Sequence, residues 1–99
     1  MKFWNVASSM EGELFVSTHL TERGAMKAAI FDCMDFLGVE DGDSRMTNHA
    51  SPNELETDHQ KIMAMDEKDL LHALRLWFEE TWDNDCGYNI EIVRSSLQA

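Results

Sequence analysis

The sequence predicts one α+β domain over residues 1–99: a three-stranded antiparallel sheet, made from an N-terminal hairpin and a C-terminal strand, with two main helices and a short helix on one face. Three observations predict this fold. Alternating apolar and polar residues mark two segments near the N-terminus and one near the C-terminus as strands. Two amphipathic segments between them have helical periodicity. A length of 99 residues is that of one domain.

The first two strands are predicted to form a β-hairpin. Residues 3–8 and residues 13–18 alternate, and residues 9–12 between them are a polar stretch that ends in glycine, as longer hairpin loops often do. Aromatic side chains occur on both faces of the alternation. The pattern therefore leaves open which face of the hairpin belongs to the core.

The first helix is predicted to follow Thr21, which is a favourable N-cap residue, and to end before Gly38. Glu22 lies in its first turn, where the helix dipole favours a negative charge. Phe31 lies off the apolar arc and is expected either to pack under a neighbouring loop or to be exposed for a partner. The predicted buried arc contains Met26, Ala29, Ile30, Cys33, Met34, Phe36 and Leu37.

Residues 39–58 are the irregular part of the chain and are strongly acidic. They contain six acidic residues and one basic residue, Arg45. The excess of five negative charges is close to half of the net charge of −11. Ser51 and Glu54 have the spacing of a capping box, with Pro52 at the first helical position. A short helix is therefore predicted to start there.

The second main helix is predicted to begin after Asp66 and to end near the turn-rich residues 83–87. Residues 88–94 then alternate as a third strand, which is expected to pair beside the first strand. Residues 95–99 are expected to fray. The predicted buried arc of this helix contains Leu70, Leu71, Ala73, Leu74, Trp77, Phe78, Thr81 and Trp82.

Charge restricts the class of partner, because 19 acidic residues face only 8 Lys and Arg. Neutralising nucleic-acid phosphates requires clustered basic residues, and an anionic membrane would repel this chain, so neither is an expected partner. No apolar run of signal-peptide length follows Met1, and none approaches the roughly 20 apolar residues of a membrane span. We therefore expect the whole chain to be the mature protein, in a cytoplasm.

No motif for catalysis or metal binding occurs in the sequence. An EF-hand loop requires an acidic residue at its fifth position, but the fifth residue counted from Asp41 or from Asp83 is not acidic. No two histidines are three or four residues apart, so no helix presents a pair of histidine ligands. There is no nucleophile elbow or glycine-rich phosphate loop. Cys33 and Cys86 have no zinc spacing and are interpreted as reduced thiols, with a disulfide as the alternative. We expect no enzymatic activity, no metal and no cofactor.

Acidic residues near the C-terminal ends of both helices are the main functional signal. A helix C-terminus carries partial negative charge, so stability alone favours Lys or Arg there, although solubility is a rival reason for the acids. Leu76 lies opposite the predicted buried arc, and a leucine inside an acidic rim has the anatomy of a binding hot spot. The candidate partner-binding residues are Asp69, His72, Leu76, Glu79, Glu80, Asp83, Glu40, Asp41 and Asp43.

The chain resembles, in type, the small acidic proteins of phages and mobile elements, including anti-CRISPR and anti-restriction inhibitors. The likeness lies in its length, the acidic run from Glu40 to Asp58, the strand-to-helix connection at residues 18–22 and the lack of an enzymatic motif. No family motif is matched, so no site residue carries over. The resemblance implies a protein that binds a basic nucleic-acid-binding partner, in a host cytoplasm, and blocks its nucleic-acid site.

Two other classes of function stay open from the sequence. The first is an accessory protein whose acidity serves solubility only, including a homodimer formed through Phe31, an exposed strand edge or a methionine-rich surface. The second is an enzyme, small-molecule or metal-dependent, whose site the sequence does not reveal.

Overall fold

A computed structural model describes residues 2–10, 12–48, 50–84 and 88–96. The elements within these residues are, in order, β1 (Lys2–Met10), β2 (Glu13–His19), α1 (Glu22–Leu37), α2 (His59–Ala64), α3 (Glu67–Asn84) and β3 (Asn89–Ser96). They confirm the α+β prediction, because β1 is the central strand and pairs antiparallel with β2 on one side and with β3 on the other. Helix α1 packs against the sheet and against α3.

The hairpin is longer and its turn is tighter than predicted. Ser9 and Met10, which the sequence assigns to the loop, continue β1 and pair with Leu14 and Glu13. Gly12 has a φ of 84°, a conformation that glycine adopts without steric strain. Because Gly12 adopts this conformation, the turn is short and both strands continue up to it.

The core face of the sheet is the one that bears Val6 and Ser8, which are both buried. Trp4 on the same face of β1, and Ile90 and Ile92 on β3, pack against the buried core. The helices cover this face and leave the opposite face open. The structure thereby decides which face of the hairpin is core, which the alternation of aromatic residues left open.

The third strand continues further than predicted. Ser95 and Ser96, expected in a frayed tail, pair with Phe3 and Lys2 of β1. The central strand extends to Lys2, so β3 has a partner along its whole length, and this pairing outweighs fraying. Residues 97–99 of the predicted tail lie outside the described residues.

Helix α1 begins and ends as its sequence predicts. The Thr21 hydroxyl accepts a hydrogen bond from the Gly24 N–H at 3.0 Å, and Gly38 ends the helix in the left-handed conformation with a φ of 69°. Phe31 is half-buried, and its ring centroid lies 4.8 Å from that of His59. Of the two alternatives for Phe31, packing against a neighbouring segment is therefore the observed one.

The prediction that a short helix starts at residues 51–54 is wrong. The backbone there is not helical, and Glu54 forms an isolated antiparallel bridge with Met46. The Asn53 carbonyl accepts from the Thr47 N–H at 2.8 Å, and the Asn53 N–H donates to the Thr47 hydroxyl at 2.9 Å. The Leu55 N–H donates to the Arg45 carbonyl at 2.9 Å, and the Leu55 side chain is buried. These contacts satisfy the backbone groups that a helix would otherwise need.

The short helix α2 begins further along the chain, after Asp58. The Asp58 carboxylate accepts hydrogen bonds from the Gln60 and Lys61 N–H groups at 2.9 and 3.1 Å, which is the role of an N-cap. Ile62, the buried residue of α2, joins the hydrophobic core. No helix among the described residues has the length and the apolar character needed to cross a membrane.

Helix α3 is capped by Asp66 as predicted, since its carboxylate accepts from the Asp69 N–H at 2.8 Å, but its buried face differs. Trp82 and Leu71 are 57% and 50% exposed, so their predicted burial is wrong. Leu76, predicted to be exposed, is half-buried. The residues of α3 that are buried are Leu70, Ala73, Leu74, Trp77, Glu80 and Thr81. The acidic segment before α2, residues 39–58, packs against α3. The residues of α3 that face this segment are therefore buried.

Candidate functional site

A cleft of about 420 Å³ lies between α3 and the extended segment that precedes α2. Three of the predicted partner-binding residues, Asp69, His72 and Leu76, line it from α3. Their spacing of three and four residues puts them on one side of a helix. The structure therefore brings together the part of the predicted site that depends on helical periodicity.

The rim of the cleft carries more negative than positive charge. Glu54 and Glu56 on the extended segment and Asp69 on α3 contribute three carboxylates, whereas Lys61 contributes one ammonium group. His72 lies on the same rim and is exposed. Three carboxylates and one ammonium group leave the lining net negative, so it attracts a cation.

The inner part of the cleft is apolar. Leu55 and Ala73 are buried, and Met65 and Leu76 are half-buried, and all four line the cleft. A cation on an aliphatic stem, such as the side chain of lysine or arginine, fits this combination of apolar interior and carboxylate rim. Arginine can in addition bind a carboxylate through two parallel hydrogen bonds.

Glu80 is not part of this surface, and the prediction that it lies on the exposed side of α3 is wrong. Its side chain is fully buried, and its carboxylate accepts from the Asn48 N–H at 2.9 Å, the Asn84 amide at 2.8 Å and the Arg45 guanidinium at 3.1 Å. Burial raises the pKa of Glu80, but these three donors outweigh it and hold the pKa below its ordinary value. Glu80 therefore fastens the segment that contains Arg45 and Asn48 to α3.

The predicted residues Glu40, Asp41 and Asp43 lie after α1, outside the lining of the cleft. The Asp43 carboxylate accepts from the Glu40 N–H at 2.9 Å, and the Asp41 carboxylate accepts from the His59 N–H at 2.9 Å. These two hydrogen bonds stabilise the turn after α1 and connect that turn to the start of α2. The structure does not bring them together with Asp69.

Glu79 and Asp83 are exposed on α3 and also lie outside the lining of the cleft. The sequence prediction missed the seven other residues of the lining, which are Asn53, Glu54, Leu55, Glu56, Lys61, Met65 and Ala73. The alternation Glu54–Leu55–Glu56 was the available signal, since in an extended segment it puts both carboxylates opposite a buried leucine. The capping-box spacing favoured a helix there and hid this pattern.

Neither a reactive cysteine nor a cluster of metal ligands is found in the part of the chain that the structure describes. Burial, together with the nearby Asp32, raises the pKa of the Cys33 thiol to about 11, although a hydrogen bond with Thr81 opposes this. The thiol is therefore protonated at neutral pH. Among the described residues, no three His, Cys, Asp or Glu side chains are grouped to hold a metal ion. Cys86 and His49 lie outside those residues.

Comparisons with known proteins gave no match. No protein-family model matches the sequence, no curated protein is similar to it at a significant level, and no solved structure matches the fold at that level. The fold and the site define a small acidic α+β protein with a carboxylate-rimmed cleft. Function must therefore be argued from this cleft and from the charge of the chain.

Proposed function

We propose that this chain is a small acidic interaction protein, of phage or mobile-element type, that acts in the cytoplasm of a host cell. Its partner is a basic nucleic-acid-binding protein, whose nucleic-acid site it blocks. The observation that carries this proposal is the cleft between α3 and the acidic segment, where Glu54, Glu56 and Asp69 surround an apolar interior.

A phosphate-binding surface presents arginine and lysine side chains, which have aliphatic stems and cationic ends. Met65 and Leu76, the half-buried apolar residues of the lining, contact such a stem, and the carboxylates at the rim bind its cationic end. A side chain held in this way is no longer available to a phosphate. Binding of the acidic protein and binding of nucleic acid are then mutually exclusive.

The overall charge supports the same partner. A net charge of −11 on a chain of 99 residues attracts a basic surface over a distance of several ångströms and speeds the encounter. Because salt screens this attraction, binding should weaken as the ionic strength rises. The charge contributes mainly to the association rate, whereas the cleft contributes specificity.

The triple variant Glu54→Gln, Glu56→Gln and Asp69→Asn is expected to bind the partner at least about tenfold more weakly, since three rim carboxylates at about 0.5 kcal/mol each sum to a tenfold effect. The tagged protein would first be used to capture partners from a nuclease-treated host lysate at low and at high salt. The dissociation constant of the captured partner would then be measured for both forms.

The matched control is Glu22→Gln, Asp35→Asn and Glu91→Gln, which removes the same charge from exposed positions outside the cleft. We expect this control to keep most of the affinity. Equal weakening by both triple variants would show that net charge alone matters and that the cleft is not the contact. A partner that binds equally well at high salt, or without competing with nucleic acid, would also contradict the proposal.

A further inference from the structure

Strand β2 lies at one edge of the sheet, with its apolar side chains exposed on both faces. Leu14 and Val16, on the open face, are 70% and 58% exposed, and Phe15, on the helix side, is 55% exposed. An edge strand also presents a row of backbone N–H and C=O groups that can pair with another strand. This edge is therefore able to extend the sheet.

The features that usually protect an edge strand are missing from the central five residues of β2. Residues 14–18 contain no ionisable side chain and no proline, and β2 pairs with β1 in an unbroken register of seven residues, without a bulge. The opposite edge strand, β3, carries the exposed charged residues Glu91 and Arg94. Protection is thus present on one edge of the sheet and absent from the other.

We propose that β2 pairs with β2 of a second copy of this chain, antiparallel across a two-fold axis, so that two sheets join into one of six strands. Full overlap of the two seven-residue strands places the axis at Val16. In that register, Glu13 of each copy lies opposite His19 of the other, so that the two Glu13 carboxylates do not face each other. The remaining pairs are Leu14 with Thr18, Phe15 with Ser17 and Val16 with Val16.

Electrostatics favours this edge as the contact between copies. Each chain has a net charge of −11, so two copies repel each other over most of their surface. The five central residues of β2 are uncharged and allow close approach. Since salt screens the repulsion, the dimer tightens as ionic strength rises. Binding to a basic partner has the opposite salt dependence, so the two proposals can fail independently.

Sedimentation equilibrium over a range of concentrations tests this pairing with two variants of the same chemistry. Val16→Lys places two lysines opposite each other at the axis and is expected to raise the dimer dissociation constant at least about tenfold. Val93→Lys is the matched control, because Val93 is 43% exposed on the same open face but lies on β3. It is expected to leave the dimer intact. Far-UV circular dichroism checks that both variants are folded.

Cross-linking tests the register without introducing a charge. In a Cys86→Ser background, Val16→Cys should form a disulfide between copies under mild oxidation, because directly paired residues have Cα atoms about 5 Å apart. Val93→Cys should not, and Cys33 is buried and does not compete. A chain that stays monomeric at the highest concentrations and salt overturns the proposal. So does a dimer that both lysine variants weaken equally, a dimer that neither weakens, or equal cross-linking at both positions.

Discussion

Replacing Trp77 with alanine is expected to lower the free energy of unfolding by about 4 kcal/mol. Trp77 is fully buried in the hydrophobic core, and its indole N–H donates to the Glu56 carbonyl at 3.2 Å. The substitution leaves a cavity and leaves that carbonyl without its donor. Since a domain of this size has a total stability of about 5–15 kcal/mol, the loss is large, and equilibrium urea denaturation followed by circular dichroism will measure it.

Trp82→Ala is the matched control, because it makes the same change on the same helix at a side chain that is 57% exposed. It is expected to lower the free energy of unfolding by less than about 1 kcal/mol. Helical periodicity alone predicts that both tryptophans are buried and that both substitutions have similar effects. A loss at Trp82 that equals or exceeds the loss at Trp77 would contradict the observed orientation of α3.

The second large effect is expected from Glu80→Ala, which should lower the free energy of unfolding by about 3 kcal/mol. The buried carboxylate accepts from Arg45, Asn48 and Asn84, and its removal leaves these donors without their acceptor. The segment that contains Arg45 and Asn48 also loses its attachment to α3. Urea denaturation measures the loss, with the neighbouring exposed residue as control: Glu79→Ala should change the stability by no more than about 1 kcal/mol.

Stability should also depend on pH through Glu80. Its pKa in the folded protein is lower than its ordinary value of 4.5, so its contribution is complete above that pH and is lost as the pH falls toward the folded pKa. Glu80→Gln lacks this group, so the difference in stability between the original chain and this variant should shrink on acidification. A difference that is constant from pH 7 down to the pH of acid unfolding would contradict the assignment.

The elements that the sequence predicts correctly are those with local signals. Thr21 and Gly38 delimit α1 through contacts within a few residues, and the observed cap hydrogen bond and left-handed φ confirm both. The alternation in residues 3–8 and 13–18 predicts the hairpin in the same way, because side chains on a strand alternate between two faces whatever lies elsewhere. Within the hairpin, only the extent of the strands was misjudged, because Ser9 and Met10 pair with Leu14 and Glu13 instead of forming a loop.

The buried face of α3 and the short helix could not be predicted because contacts with residues outside these elements determine them. Glu80 is buried only because Arg45 and Asn48, more than thirty residues earlier, supply its hydrogen bonds. The two hydrogen bonds between Thr47 and Asn53, one of which is to the Thr47 hydroxyl, similarly outweigh the capping-box spacing. Without knowledge of these partners, a charged residue is predicted to be exposed, and a capping-box spacing is predicted to start a helix.

The candidate site likewise consists of one part that the sequence spacing predicts and one part that it does not. Asp69, His72 and Leu76 share one side of a helix, so their proximity follows from sequence spacing alone. Glu54 and Glu56 reach the cleft through an extended segment whose path is set by contacts with residues 45–47. The helical half of the cleft was therefore predictable, and the half built by the acidic segment was not.

The most direct test of the proposed function is a titration of the ¹⁵N-labelled protein with a short arginine-rich peptide, followed by amide chemical shifts. We predict that the largest changes occur at the residues that line the cleft, above all at Glu54, Glu56, Asp69 and Leu76, and that the affinity falls as salt is added. Changes spread evenly over all exposed acidic residues, or concentrated away from the cleft, would contradict the claim that this cleft binds basic side chains.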